Sequence, residues 1–172
     1  MLRFLNRIAT SRWASGPMRA MVPVDALLQR RTMGRLSIGR TVGLHSLLLT
    51  TTGARTGQPR QVPLFHVPYG RGFAVIDSNL GADNHPAWSV NLLRHPHATV
   101  VTLGKQLPVI ARETQGHERE EIWQTILSVS PGYAAYDARC NRNLRIFHLQ
   151  PAPDGRHTSS TRSPRPRQPT PG

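Results

Sequence analysis

The chain has 172 residues, which is enough for one domain with a hydrophobic core but short for two. Its formal net charge is +13, yet the central residues 46–150 contribute only +3, so most of the positive charge lies near the two ends. The single cysteine, Cys140, excludes an intrachain disulfide and a metal site built from several cysteines. No apolar run approaches the roughly 20 residues that a membrane-spanning helix requires.

The two ends differ in composition from the centre. Residues 1–22 are rich in arginine, contain no acidic residue and have an amphipathic pattern. That pattern is typical of a transit peptide, of a segment that anchors at a membrane surface, or of a helix that docks on the domain, which is the simplest interpretation. Residues 151–172 are rich in Pro, Ser, Thr and Arg and contain no large apolar side chain, which predicts a disordered tail. The folded domain is therefore expected to span residues 23–150.

The first half of this domain is predicted to contain one short helix followed by strands. Leucines at helical spacing predict a helix over residues 25–36, with Asp25 as its N-cap. Strands are predicted at residues 45–52, 60–70 and 72–79, and the last two form a hairpin. Pro63 lies inside the second strand, which is expected at an edge or a bulge because proline cannot donate to the ladder.

The second half is predicted to contain helices in blocks between strands. A helix is expected over residues 86–94, because Pro86 suits a first helical position. The other predicted elements are a hairpin of strands 97–104 and 105–114 around Gly104–Lys105, helices over 116–130 and from the cap Ser130 to residue 141, and a strand over 144–151. The expected apolar stripe of the first of these helices is Ile122, Trp123, Ile126, Leu127 and Val129. About six strands with helices in blocks favour an antiparallel barrel decorated with helices over a Rossmann-type sheet.

A glycine-rich basic turn joins the first two strands. Its sequence GARTG, residues 53–57, matches neither a Walker loop nor a dinucleotide-binding motif. Backbone N–H groups together with the guanidinium groups of Arg55 and Arg60 suit an anion. The more conservative interpretation is an ordinary hairpin with solvated arginines.

Two further segments are candidates for ligand contact. In DNHPAWSVNL, residues 83–92, Trp88 could wall a planar ligand while Asn91 supplies polar contacts, although Trp88 at this spacing is more often a core residue. Tyr133 and Tyr136 lie three positions apart on one predicted helix face, where they either pack or line a site. The histidines lack a spacing typical of metal ligands, so no metal site is expected.

The order and spacing of four motifs are more specific than any one of them. LLTTTGARTGQPRQVPL, SNLGADNHPAWSVNL, PGYAAY and LRIFHLQP together resemble the deazaflavin-dependent nitroreductase family, over roughly residues 36–151. The resemblance implies a mainly β fold with helices, a split antiparallel β-barrel related to those of flavin-binding proteins. It also implies coenzyme F420, an 8-hydroxy-5-deazaflavin whose tail carries a phosphate and several glutamates, and hydride transfer to a quinone or nitroaromatic acceptor.

The resemblance further implies which residues form the site. The implied cofactor-binding residues are Ala54, Arg55, Thr56, Arg60, Gln61, Val62, Pro63, Leu64, Phe65, Ile76, Asp77, Ser78, Asn79, Ala87, Trp88, Ser89, Asn91 and Tyr133. The implied catalytic residues on the acceptor side are Ser78, Tyr133 and Tyr136. Ser78 or Tyr133 would donate a hydrogen bond to the oxygen that becomes negative as hydride arrives. A cytoplasmic location is expected, with residues 1–22 in peripheral contact with the inner face of the plasma membrane.

Three positions depart from the residues common in that family. Ala54 stands where a basic residue is usual, Asn79 where lysine is frequent and Phe65 where tyrosine is common. These departures leave weaker binding or loss of the cofactor as alternatives, beside a related barrel protein that uses flavin mononucleotide. A non-catalytic basic module for nucleic acid or membranes is a further alternative. Nucleic acid is not expected as a partner, because the chain has only ten aromatic residues for base stacking.

Overall fold

The structure, a computed structural model, describes residues 15–37 and 44–153. The helices in these ranges are α1 (Ser15–Thr32), α2 (Ala87–Arg94), α3 (Gly116–Val129) and α4 (Tyr133–Asp137). The strands are β1 (Ser46–Thr52), β2 (Pro59–Phe65), β3 (Val67–Tyr69), β4 (Gly72–Ile76), β5 (His97–Thr102), β6 (Lys105–Glu113) and β7 (Ile146–Pro151). A short 3₁₀ turn, Asn79–Gly81, follows β4. The predicted tail lies outside the described residues from residue 154 onward.

The seven strands form one antiparallel sheet in the order β2-β1-β5-β6-β7-β4-β3. Strands β2 and β3 lie at opposite edges of this sheet, yet a single residue, His66, joins them. One residue spans only about 3.5 Å, so the sheet must curl until its two edges meet. The result is the half-open antiparallel barrel that the sequence predicted.

The predicted strand over residues 60–70 is in fact two strands, so the sheet has seven strands rather than about six. Strand β2 pairs with β1 as far as Phe65, opposite Ser46, and His66 still donates its backbone N–H to the carbonyl of His45 (3.1 Å). The chain then leaves β1, and β3 pairs with β4 instead. Pro63 lies in the edge strand β2, as its missing N–H predicted.

Helix α1 differs from its prediction in length and in the role of Asp25. It begins at Ser15, crosses the expected domain boundary and contains Pro23 in its interior. Asp25 is therefore not an N-cap: its carboxylate accepts a hydrogen bond from Gln29 Nε2 (2.8 Å) one turn later. Gln29 also donates to Ser46 Oγ on β1 (2.7 Å). Proline is normally tolerated only in the first turn of a helix. Packing of α1 against the sheet stabilises the helix although Pro23 lies in its interior.

Two smaller boundary predictions were also wrong. Helix α4 begins at Tyr133 and has Gly132 rather than Ser130 at its N-cap position, because residues 131 and 132 form a turn. In α3, Ile122 and Ile126 are buried, whereas Val129 at the end of the predicted stripe is 42% exposed.

Strand β1 is buried on both faces, which explains its run of leucines. Leu47 and Leu49 pack in the main core with Trp88 of α2 and Phe147 of β7. Leu48 points to the other face, where it packs against Ala26 of α1 and Val101 of β5. The sheet is therefore covered by α1 on one face, and α2 is held against the other.

Among the described residues, no helix combines the length and the apolar character needed to cross a membrane. Residues 1–14 of the predicted membrane-contacting segment lie outside the described ranges, and residues 15–22 form the first half of α1.

His66 at the junction of β2 and β3 couples stability to pH. It is 7% exposed, and its Nδ1 has no hydrogen-bond partner within the described part of the chain. Burial, with a smaller contribution from nearby His45, lowers the pKa of His66 from 6.5 to about 4. Because the folded pKa lies below the unfolded one, the unfolded chain binds the extra proton between these values. The contribution of neutral His66 to the free energy of unfolding is therefore fully present above pH 6.5 and is lost as the pH falls towards 4.

We expect His66 to lower the free energy of unfolding by about 2–4 kcal/mol as the pH falls through this window. Urea unfolding at a series of pH values measures the slope. The His66→Gln variant should have a flatter profile between these pH values, whereas His117→Gln, which changes an exposed histidine on α3, should keep the parental profile. Equal slopes for the parent and His66→Gln would contradict the assignment.

Candidate active site

An open groove of about 1150 Å³ lies between the β1–β2 turn and helix α2. Ten of the predicted cofactor-binding residues line it: Ala54, Arg55, Thr56, Arg60, Gln61, Val62, Asn79, Ala87, Trp88 and Asn91. Seven residues that were not among the implied contacts also line it, four of them within the two candidate segments 53–57 and 83–92: Thr51, Gly53, Asn84, Pro86, Val90, Leu93 and Arg94. The structure thus brings the basic turn, the strand after it and the predicted helix around one opening.

The groove is positively charged. Arg55 and Arg60 come from the turn and from β2, and Arg94 comes from the last turn of α2. No aspartate or glutamate is among the lining residues, and none of the three arginines forms an ion pair with a residue in the described ranges. Three exposed guanidinium groups without a counter-charge present a donor set that suits an anion with several charges.

The backbone of the basic turn is held in a tight loop. Gly53 donates its N–H to the carbonyl of Gln58 (2.9 Å), and Gly57 donates to the carbonyl of Gly53 (2.8 Å). Gly57 has a φ of 66°, a conformation that favours glycine. A Cβ at Gly53 would lie 2.7 Å from Thr56 Oγ1, so a side chain there would displace the threonine that lines the groove.

Asn91 joins this loop to helix α2. Its Oδ1 accepts the backbone N–H of Ala54 (2.9 Å), and its Nδ2 donates to Thr51 Oγ1 (3.0 Å). The side chain is 5% exposed, so both hydrogen bonds are shielded from water. Asn91 therefore positions the arginine-bearing turn relative to the helix, a role that the sequence did not distinguish from direct ligand contact.

Helix α2 presents one face to the groove and another to the core. Ala87, Asn91 and Arg94 recur at helical spacing among the lining residues. Because Ala87 and Asn91 were predicted to contact the ligand, the same helical spacing could have identified Arg94 from the sequence. Trp88 contributes to the groove wall but is only 7% exposed and packs edge-on against Phe147 at 5.7 Å. The interpretation of Trp88 as a core residue therefore describes most of its surface.

Asp77 is a buried junction rather than part of the groove lining. Its Oδ1 accepts hydrogen bonds from Arg142 Nη1 and from the backbone N–H of Arg145, both at 2.8 Å. Its Oδ2 lies 2.6 Å from His85 Nδ1 and accepts a hydrogen bond from Ser89 Oγ (2.9 Å). The carboxylate thus connects the end of β4 to α2 and to the segment before β7.

Arg142 strengthens the same junction. Its Nη2 donates to the carbonyl of Asp77 (2.7 Å) and its Nε donates to the carbonyl of Ala82 (3.1 Å). The side chain is 8% exposed, so the ion pair with Asp77 is shielded from solvent. Asp77, His85, Ser89 and Arg142, called the Asp77 junction below, fix the segment that carries Asn79 and Asn84 to the groove.

The 3₁₀ turn that follows β4 has a left-handed backbone. Asn79 and Leu80 have φ angles of 44° and 55°, and Gly81 has a φ of 79°. Two non-glycine residues with positive φ store local strain, which persists only where the surroundings determine the conformation. Asn79 donates from Nδ2 to the carbonyl of Asn84 (2.9 Å), and this bond closes the loop that borders the groove.

The predicted acceptor-side residues form a separate aromatic cluster. The Tyr133 ring lies 5.5 Å from the ring of Phe65 and 5.5 Å from that of Tyr136. Burial raises the pKa of Tyr133 well above its usual range, while a hydrogen bond with Ser78 acts in the opposite direction. A phenol is protonated at neutral pH even without this shift, so Tyr133 carries an O–H that can donate a hydrogen bond.

Eight predicted cofactor-binding residues do not line the groove: Pro63, Leu64, Phe65, Ile76, Asp77, Ser78, Ser89 and Tyr133. They divide among the Asp77 junction, the aromatic cluster and the strands between them. Tyr136 is 3% exposed, and its ring lies under the guanidinium of Arg139 at 5.0 Å. The described residues contain no group of side chains suited to a metal ion.

Comparison with known proteins identifies the family. Residues 23–151 match the model of the family described as F420H(2)-dependent quinone reductase. The chain belongs to this family. An F420H(2)-dependent quinone reductase of Mycobacterium tuberculosis strain H37Rv is 30% identical over 125 residues, which are 71% of this chain and 84% of the relative. Family membership confirms the predicted resemblance and the oxidoreductase class, with coenzyme F420 as the cofactor of the family.

Solved structures support the fold of this F420H(2)-dependent family member. An F420-H2 dependent reductase, 36% identical, superimposes with a TM-score of 0.57 over 61% of this chain and 93% of its own. A structure described as a domain-swapped dimer is 32% identical, with a TM-score of 0.59 over 74% of this chain and 96% of its own. The predicted split antiparallel barrel is therefore confirmed.

Proposed function

We propose that this chain reduces quinones with hydride from coenzyme F420H2, and that the groove beside α2 holds the anionic tail of the cofactor. The observation that carries the proposal is the donor set of the groove, where Arg55, Arg60 and Arg94 face the opening without a carboxylate. Such a set fits a ligand with several negative charges, and membership of an F420H(2)-dependent family supplies the ligand. Ala54 and Asn79 lack the charges common in the family, but Arg94 adds one on the opposite wall.

The residues around the groove would bind and orient the cofactor. Gly53 and Gly57 shape the turn that carries Arg55, and Asn91 holds this turn against α2. Val62 and Trp88 add apolar surface beside the arginines, which suits a planar ring system. When bound, the cofactor supplies the hydride, and the protein's contribution is to orient it and to exclude water.

Tyr133 and Ser78 would act on the acceptor. A quinone oxygen gains negative charge as hydride reaches the ring, and a preorganised hydrogen bond stabilises that charge. A tyrosine phenol is protonated at neutral pH, and burial raises the pKa of Tyr133 further, so its O–H would donate a hydrogen bond to that oxygen. Ser78 hydrogen-bonds the Tyr133 side chain, and the next residue in the chain, Asn79, lines the groove. Ser78 therefore connects the acceptor-side residues to the proposed cofactor site.

Tyr133→Phe is expected to lower kcat for a quinone by about ten- to a hundredfold, because one donor to the developing charge is lost. The Kd for F420 should change less than twofold, since the phenol lies outside the groove. Steady-state kinetics and a separate binding titration measure the two quantities. The control is Tyr69→Phe, which removes a phenol that hydrogen-bonds Glu121. An unchanged kcat for Tyr133→Phe would remove this residue from the mechanism.

Nitroaromatic acceptors extend the same proposal, because a nitro oxygen also gains negative charge when the group accepts hydride.

For the location of the protein, we propose that residues 1–22 attach to the inner face of the membrane, near a lipid-soluble quinone. The proposed catalytic domain is residues 23–150, and α1 extends it towards the N-terminus as far as Ser15.

A cofactor titration tests the proposed function. The purified chain is titrated with oxidised F420 and, in parallel, with flavin mononucleotide, and tryptophan fluorescence is followed because Trp88 lies in the groove wall. We expect F420 to bind at least about tenfold more tightly than flavin mononucleotide, whose single phosphate engages fewer guanidinium groups. Equal binding of both, or binding of flavin mononucleotide alone, would overturn the choice of cofactor.

A further inference from the structure

His85 and Asp77 form a carboxylate–histidine pair within the Asp77 junction. Asp77 Oδ2 lies 2.6 Å from His85 Nδ1. Two lone pairs do not approach each other so closely, so a hydrogen lies between these atoms and Nδ1 donates it. The carboxylate is completely buried and also accepts from Ser89 Oγ (2.9 Å), which fixes its position. His85 is thereby held in the tautomer whose neutral ring has no proton on Nε2.

Arg142 is the other charged group that contacts the ring. Its Nη1 lies 3.0 Å from His85 Nδ1 and 2.8 Å from Asp77 Oδ1. If Nη1 donated to Nδ1, no hydrogen would lie in the 2.6 Å contact between His85 and Asp77, so Nη1 donates to Asp77. The ring therefore has one anionic and one cationic neighbour, and both lie on the side of Nδ1.

The second ring nitrogen, Nε2, is open to solvent. The His85 side chain is 25% exposed, and Nε2 is not enclosed and has no hydrogen bond within the described part of the chain. A contact that only anchored the loop would use Nδ1 alone, and a buried ring would serve it equally well. An accessible nitrogen on a ring whose other nitrogen is bound to a carboxylate is an arrangement suited to proton transfer.

The pair lies between the groove and the acceptor-side residues. The residues immediately before and after His85 both line the groove, and consecutive Cα atoms are only about 3.8 Å apart. Asp77 directly precedes Ser78, whose side chain hydrogen-bonds that of Tyr133. The ring thus adjoins the proposed cofactor site through its own backbone and the acceptor side through its carboxylate partner.

We propose that His85 is the proton-transfer residue of the quinone reduction, with Nε2 as the atom that carries the proton. This role rests on the proposed function. Hydride brings both electrons and one hydrogen nucleus to the quinone and leaves one oxygen as an anion. A new O–H bond forms on this oxygen as the Nε2–H bond of the imidazolium breaks, and the electron pair of that bond stays on Nε2. Solvent returns a proton to Nε2 and oxidation of F420H2 releases one, so protons balance over the turnover.

His85 and Tyr133 have different tasks in this scheme. Tyr133 donates a hydrogen bond to the oxygen while its charge develops, and it keeps its own proton because burial raises the pKa of the phenol. His85 gives its proton up. Asp77 acts as a positioning residue that fixes the ring and stabilises the imidazolium.

Nitrogen NMR of the histidine rings tests the pair without turnover. In the chain without ligand, the neutral His85 ring should carry its proton on Nδ1, and addition of oxidised F420 should shift the Nε2 resonance. The exposed ring of His117 on α3 is the comparison, and its resonances should not shift. His85→Asn and His117→Asn each remove one set of signals and so assign them. A neutral His85 ring protonated on Nε2, or an Nε2 resonance that F420 leaves unchanged, would overturn the proposal.

His85→Asn tests the role in turnover, because asparagine can place an amide N–H near the position of Nδ1 but cannot transfer a proton. The kcat for a quinone should fall by at least about tenfold, while the Kd for F420 stays within about threefold. The parental kcat should decline as the pH rises and the imidazolium is lost, and His85→Asn should lack this decline. The control His117→Asn should keep the parental kcat and pH profile.

Stability and binding measurements separate the ways in which the proposal can fail. Urea unfolding establishes whether His85→Asn is folded at the assay temperature, and the NMR measurement on the parent decides the matter if it is not. A parental kcat and pH profile in folded His85→Asn would overturn this role and leave the proposed function intact. Absence of F420 binding by the parent would overturn the proposed function and this role with it.

Discussion

Replacing Arg55 and Arg60 together with alanine is expected to weaken F420 binding by about a hundredfold or more. Hydrogen bonds to charged groups contribute about 1.5–3 kcal/mol each, and a bidentate guanidinium contact with a phosphate or carboxylate is among the strongest of them. The groove contains no other cation except Arg94. Fluorescence titration measures the Kd, and because each lost contact reduces the dependence of binding on salt, the slope of log Kd against log salt should also become shallower.

Matched variants separate a local effect from a general loss of positive charge. Arg71→Ala combined with Arg112→Ala removes two exposed arginines that do not line the groove and should leave the Kd for F420 within about twofold. Arg94→Ala alone should weaken binding by roughly tenfold, with flavin mononucleotide affected less. If the Arg55→Ala/Arg60→Ala double variant binds F420 like the parent, the tail does not lie in this groove, and the proposed function must be placed elsewhere on the barrel.

The second large effect is expected at the Asp77 junction, where Asp77→Asn should lower the free energy of unfolding by about 3–5 kcal/mol. The substitution removes the negative charge that pairs with Arg142, which is 8% exposed, and leaves that guanidinium buried without a counter-ion. It also places an amide N–H₂ where one oxygen now accepts two hydrogen bonds. Urea unfolding measures the loss, and Asp137→Asn, a change at an exposed carboxylate on α4, should shift stability by less than about 0.5 kcal/mol.

The same variant also tests whether the junction positions the groove. Asn79 and Asn84 lie in the segment that Asp77 and Arg142 hold, so loosening this segment should weaken F420 binding even under conditions where Asp77→Asn is fully folded. We expect a several-fold increase in the Kd for F420, measured in buffer without urea at a pH and temperature where the unfolding curve shows that the variant is folded. A destabilised variant with parental F420 affinity would limit Asp77 to a purely structural role. A variant with parental stability would contradict the buried ion pair.

Much of the fold followed from local patterns. The strand β1, the hairpins and helix α3 were predicted because apolar spacing, glycine turns and proline positions act within a few residues. The division of the predicted 60–70 strand was not predictable in this way. It depends on a change of pairing partner, because β2 pairs with β1 whereas β3 pairs with β4. Helix α1 also exceeded its prediction and continues through Pro23, because the hydrogen bond from Gln29 to Ser46 and the packing of Ala26 against Leu48 hold the helix on the sheet.

The candidate site was predictable in part. Motif order indicated Arg55, Arg60 and Asn91, and these residues do meet in one groove. Arg94 was missed because one arginine at a helix C-terminus is ordinary, and only the opposing turn gives it a ligand-facing position. Asp77 was predicted to contact the cofactor, but its carboxylate contacts His85 and Ser89, 8 and 12 residues later, and Arg142 and a backbone N–H, 65 and 68 residues later.

The sequence by itself determined the predicted antiparallel strand order and the glycine-shaped basic turn, because these depend on residue types at short spacings, where backbone geometry and hydrogen-bond chemistry act directly. The order of its motifs also established the family resemblance, and that resemblance implied the polyanionic cofactor. Only the tertiary structure decided which side chains share a wall. It separated the groove arginines from the Asp77 junction and paired Tyr133 with Ser78. Those outcomes depend on long-range packing between residues that are far apart in the chain. Where the chain changes its pairing partner, as it does between β2 and β3, the positions of all the following side chains change with it.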